Sequence, residues 1–218
     1  MSAVSALPVL PVLLIEPVAS NCSLLTHWLN AAAEDLGIAC EICRCSEPVV
    51  ASRHPSLVFL SPMMAEALAG QSGFAACLLW VHGGSGVLPQ GAQAVPWPVK
   101  KERARMILAE AAVRIGVVGR NDEAGCPFGN QVPEPLLSLI PRLVETVHEL
   151  LGQCEMHIRN GDNENAARAA HSLKGAALSF GQQILAECAE VLKDAVQAGN
   201  AEETARMAAV LRLLVYGA

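Results

Sequence analysis

The hydrophobic pattern of this 218-residue chain changes period once, and that change limits what it can fold into. Up to about residue 115, short apolar runs alternate with segments of helical periodicity; beyond about residue 133 only helical periodicity is left. The first stretch predicts strands at Val9–Ile15, Ile38–Cys45, Leu57–Leu60, Ala76–His82 and Ala94–Trp97. Between and after them come helices at Asn21–Leu36, with Ser20 or Asn21 as cap and Gly37 as stop, at Met63–Ala69, and at Lys100–Ile115. Strands alternating with helices imply a parallel sheet wrapped by helices. Only about eleven residues, rich in Gly and Pro, lie between His82 and Ala94, so the helix expected there is shortened or missing.

A stretch punctuated by Gly119, Gly125, Pro127, Gly129 and Pro133 then reads as a linker. After it, four amphipathic segments, Glu134–Ile158, Glu164–Phe180, Gln182–Ala198 and Ala201–Tyr216, are separated by breaks at Gly161-Asp162, Gly181 and Gly199-Asn200. Helices of that length with short connections pack as an antiparallel bundle. The expected organisation is therefore an α/β domain over residues 1–116, a linker over 117–133 and an all-α four-helix bundle over 134–218.

Composition supports two packed cores, with 52% hydrophobic and 17% charged residues. A net charge of −6 with no basic cluster argues against a nucleic-acid partner. The apolar run Leu7–Ile15 is about half the length a bilayer requires, no basic stretch precedes it, and Glu16-Pro17 ends it, so a buried strand in a cytoplasmic protein with no membrane partner is expected. The eight cysteines are scattered apart from Cys40, Cys43 and Cys45. Lacking a matching Cys or His pair, that cluster reads as strand packing and not as a metal site.

The chemistry concentrates on the helix carrying His171. At about 100° of rotation per residue, Ala167, Arg168, Lys174, Gly175 and Leu178 fall within about 60° of it. Ala169, Leu173, Ala176, Ala177 and Phe180 fall on the opposite side as a core stripe, so His171 is expected to point outward. A neutral imidazole is a good nucleophile, and free imidazole side chains titrate at about 6.5. Lys174 stands one turn away, where it can offset phosphoryl charge. Gly175 clears space, at a cost of about 1 kcal/mol relative to alanine inside a helix. Gly181 lies beside the same face and is expected to end the helix.

The run Ala170-His171-Ser172-Leu173-Lys174-Gly175, followed by Phe180-Gly181 and by Leu192-Lys193-Asp194-Ala195, resembles the signature of histidine-containing phosphotransfer (HPt) domains. The resemblance implies that His171 is phosphorylated, that Lys174 steadies the phosphoryl group and that Gly175 keeps the site open. Arg168, Ala167, Leu178 and Gly181 would then neighbour the phosphate or dock a partner. It implies a phosphocarrier without autokinase activity. Its partners would be receiver domains of response regulators and hybrid histidine kinases, which would supply the Mg²⁺, so this chain would need no metal or cofactor. His27, His54, His82, His148 and His157 read as surface or boundary residues.

The first domain resembles a response-regulator receiver, a flavodoxin-like parallel sheet, with the chemistry lost. Val12-Leu13-Leu14-Ile15-Glu16-Pro17 sits where receivers carry an acidic pair, and only Glu16 is present. Ser61 stands in place of the phosphorylatable aspartate and Trp97 in place of the lysine, while His82-Gly83-Gly84 follows the fourth strand. This resemblance implies a pseudo-receiver with a docking, dimerisation or regulatory role, and His171 would work in trans. Homodimer formation is left open. Two other readings compete: an adaptor that binds and sequesters receivers, and a dimeric phosphotransferase related to a degenerate histidine kinase.

Overall fold

The computed structural model describes residues 9–46, 55–68, 78–83, 88–89, 91–116 and 138–216. The expected linker, residues 134–137, His54 and Gly84–Gly86 lie outside them. The chain divides into two compact units, Met1–Val117 and Val118–Ala218.

In the first unit, five strands form one parallel sheet: β1 (Val9–Ile15), β2 (Ala39–Cys45), β3 (Leu57–Leu60), β4 (Leu78–His82) and β5 (Ala92–Val95). Their order is β2-β1-β3-β4-β5, the flavodoxin-like arrangement. The apolar runs become strands because they are covered on both faces: all four residues of β3 and most of β1 are buried. Helices α1 (Ala19–Leu36) and α3 (Lys101–Arg114) pack together, tied by Lys101 to Asp35 at 2.8 Å. The short α2 (Pro62–Leu68) packs against β3 and β4. No helix lies between β4 and β5 among the described residues.

Helix α1 starts at Ala19, and neither Ser20 nor Asn21 caps it. Instead the Val18 N–H, at the N-cap, donates to the Glu16 carboxylate at 2.8 Å. Strand β5 lies two residues earlier than Ala94–Trp97 because Pro96 and Pro98 bring no N–H to a ladder. Strand packing explains only part of the cysteine cluster: β2 is an edge strand on which Cys40 and Cys45 are half-buried and Cys43 is exposed. Burial pushes the Cys40 thiol up to about 12. Among the described residues, no group of His, Cys, Asp and Glu has a metal-binding arrangement, and no helix is long and apolar enough to cross a membrane.

The second unit is helical among its described residues: α4 (Ile140–Arg159), α5 (Asn163–Ser179), α6 (Gln183–Gln197) and α7 (Ala201–Tyr216). Each helix packs on the next and α7 returns onto α4, closing a four-helix bundle. Gly161, Gly181 and Gly199 make the turns with φ of 72°, 72° and 66°, the left-handed region that glycine enters without a Cβ penalty. Arg212 on α7 reaches Glu155 on α4 at 2.5 Å.

Candidate functional site

Helix α5 begins at Asp162, whose carboxylate accepts the Asn165 backbone N–H at 3.1 Å and its side-chain amide at 2.7 Å. Those bonds, led by the one from the Asn165 side chain, hold the Asp162 carboxyl below the usual range, helped by His157 at 3.3 Å. His171 lies in the middle of this helix with its side chain exposed.

The buried arc of α5 is wider than a single-helix projection suggests, and it is rotated. Ala166, Ala169, Ala170, Leu173 and Ala177 are buried, and so is Ala167 at 6% exposure. Ala167, which the helical projection places beside His171 on the open face, is a boundary residue because α5 packs against both α4 and α6. Ala176 and Phe180, expected in the core, are only half-buried. The small alanine side chains let the neighbouring helices approach α5 closely on either side of the histidine face.

A groove open to solvent runs along that face, lined by His171, Arg168, Glu164, Ala167 and Ser172 of α5 together with Lys193 and Gln197 of α6. Lys193, read from the sequence only as part of a family run, thus joins His171 from the next helix. Lys174, the cation expected at the site, points toward α6 and pairs with Glu190 at 3.1 Å. Glu190 also accepts from Lys193 at 2.7 Å. Arg168 pairs with Glu164 one turn earlier on α5. The sequence could have yielded Glu190 and Lys193 only through the register between α5 and α6, which one helix alone does not contain.

Gly175 is exposed, and a Cβ built on it meets nothing within 4 Å. No packing among the described residues therefore requires glycine there. Leu178 is 45% exposed, two turns beyond His171 on the same side. Gly181 is not among the residues lining the groove; it ends α5, its N–H donating to the Leu178 carbonyl at 3.0 Å.

In the first unit, the positions compared with a receiver site hold a different chemistry. Glu16 and His82 are each 4% exposed, and His82 Nε2 lies 2.5 Å from Glu16 Oε2. His82 is thus a buried, partnered residue and not the isolated surface or boundary histidine expected. Burial lowers its pKa, with Glu16 opposing. Trp97 packs against the His82 ring at a centroid distance of 4.5 Å, the two rings tilted by 38°. Ser61 is buried, its Oγ facing the Met64 N–H at 3.4 Å. With both Glu16 oxygens engaged and a serine at the aspartate position, this donor set does not fit the Mg²⁺ site of a receiver.

Of the other histidines, His148 packs against Tyr216 at a ring-centroid distance of 4.2 Å, His157 is the partner of Asp162, and His27 is exposed. None of them lines the groove of His171. Comparison with curated proteins and with solved structures gives no significant match. Residues 138–217, the span that holds the bundle and its exposed histidine, match the family model of the Hpt domain. The C-terminal unit of this chain is an Hpt domain, a member of the histidine phosphotransfer family of two-component phosphorelays.

Proposed function

We propose that His171 accepts a phosphoryl group from the aspartyl phosphate of a receiver domain and passes it to a second receiver. The observation that carries this reading is the exposed His171 imidazole in an open groove, with Lys193 beside it and unfilled space over Gly175. The lone pair of the unprotonated ring nitrogen attacks phosphorus in line. An N–P bond forms as the P–O bond to the aspartate breaks, and the carboxylate leaves with that electron pair. Onward transfer reverses these roles on the second receiver. Phosphoryl transfer depends on positioning and charge stabilisation, so the chain needs no cofactor of its own and the partner brings Mg²⁺ and a lysine. Lys174 and Gly175 assist, the first by charge and the second by leaving room; Arg168, Leu178 and Ala167 border the docking face. We assign the partners to response regulators and hybrid histidine kinases, and the setting to the cytoplasm. The first unit acts as a pseudo-receiver in docking, dimerisation or regulation; the engaged Glu16 and the serine at position 61 support the loss of its own phosphorylation chemistry.

The test is to charge a panel of purified receiver domains with radiolabelled acetyl phosphate and Mg²⁺ and to add the full chain. Label is expected to move onto the chain in acid-labile, base-stable form, and ATP alone is expected to give none. Tight complexes without transfer would overturn the reading in favour of a sequestering adaptor. Labelling from ATP would favour the kinase-like class.

Gly175→Ala separates a partner's need for space from the needs of the fold. Nothing within 4 Å opposes the methyl group, so the helix should gain about 0.5–1 kcal/mol. Calorimetry should show the bundle melting a few degrees higher, roughly 3–6 °C for a domain of this size. Transfer from the receiver should nevertheless slow. An unchanged transfer rate would mean that the space over Gly175 is not used.

A further inference from the structure

We infer that Glu190 is a positioning residue for the phosphoryl site: it holds Lys174 and Lys193 beside the groove of His171 and offsets their charge. This inference rests on the proposed phosphorylation of His171. Glu190 is a half-buried α6 residue whose two carboxylate oxygens are divided between two cations. Oε2 faces Lys174 of α5 at 3.1 Å, and Oε1 accepts from Lys193 of α6 at 2.7 Å. One carboxylate thereby links the helix carrying the nucleophile to the helix forming the other wall of the groove. The hydrogen bond from Lys193 first, and the Lys174 ammonium paired with Oε2 second, hold the Glu190 carboxyl below the usual range, so it is an anion at neutral pH.

The charges that these two helices bring to the groove, and Lys174 one turn along α5 from His171, are paired in the resting state. Arg168 is matched by Glu164, while Lys174 and Lys193 share Glu190, with Asp194 adding a contact to Lys193 at 3.3 Å. Three cations thus face three carboxylates. A phosphoryl group on His171 arrives carrying nearly two negative charges and competes with Glu190 for the same two lysines. The lysines stay placed by Glu190 without being fully available, and the phosphoryl group is held less tightly than by two unopposed cations. A carrier that must give its phosphoryl group away benefits from such moderate binding, because a more stable phosphohistidine would stop the relay.

The titration of the phosphoryl group itself reads this arrangement. The full chain is phosphorylated with phosphoramidate, a small P–N donor: its P–N bond breaks, ammonia leaves, and the new N–P bond forms on the histidine. The ³¹P resonance that is absent from H171Q belongs to His171, and its shift is followed against pH. Removing the Glu190 charge should favour the dianionic phosphoryl form, so E190Q is expected to lower the titration midpoint by about half a unit. E190D, which keeps the charge, should return toward wild type, and E190Q in a K174Q/K193Q background should have little further effect. A merely structural Glu190 would alter the melting temperature without moving the midpoint. An unchanged or raised midpoint in E190Q, with the wild-type resonance present, overturns this inference alone. Failure of label to pass from receivers to wild type overturns the proposed function instead.

Discussion

His171→Gln is expected to abolish labelling of the chain by phosphorylated receivers, a loss of ~10³-fold or more. A glutamine amide nitrogen has its lone pair delocalised into the carbonyl and cannot attack phosphorus, although the side chain is of similar reach. The substitution is on an exposed face, so the bundle should keep its stability within about 0.5 kcal/mol. None of the other described histidines lines the groove. His148 packs against Tyr216, and His157 is bound to Asp162. Acid-labile label on H171Q equal to that on wild type would show that phosphotransfer by this residue is wrong. Unaltered receiver binding by the same variant would show that docking and chemistry are separable.

The sequence carried His171 because its surroundings are local. A histidine, a lysine three residues on and a glycine four residues on share one helix, and a wheel projection finds them without any tertiary knowledge. The same holds for the strand and helix alternation before residue 115, and for Gly161, Gly181 and Gly199, where the chain turns with positive φ. What the projection misses is the direction from which neighbours approach. Packing of α5 against two helices buries Ala167 and turns Lys174 toward Glu190. Lys193 borders the groove through the register of α6 on α5, a property of two helices together. Glu16 and His82 are 66 positions apart and meet only because β1, β3 and β4 align in one sheet. The start of α1 differs from the expected one for a related reason: the amide of its N-cap, Val18, is met by Glu16 from outside the helix, and neither Ser20 nor Asn21 caps it.

That Glu16–His82 pair yields the largest stability prediction. Glu16→Ala should destabilise the first unit by about 2–4 kcal/mol, since it leaves the buried His82 ring nitrogen without its acceptor and removes that of the part-buried Val18 N–H. All three tryptophans, Trp28, Trp80 and Trp97, belong to this unit, so their fluorescence during urea unfolding of the full chain reports it separately from the bundle. The pH dependence follows from His82, whose pKa burial holds below the ordinary value of 6.5 despite the opposing pull of Glu16. The folded unit then binds fewer protons than the unfolded chain over the interval between those two values. Its contribution to stability is complete above pH 6.5 and is lost as the pH falls through the lower, folded value. His82→Gln should remove that component of the acid sensitivity while costing stability at neutral pH, because Trp97 packs against the imidazole ring. Persistence of the same slope in H82Q would transfer the effect to other groups. A cost below about 1 kcal/mol for E16A would mean that water or a shifted side chain restores the lost acceptor, and that the pair is not what holds the strand ends together.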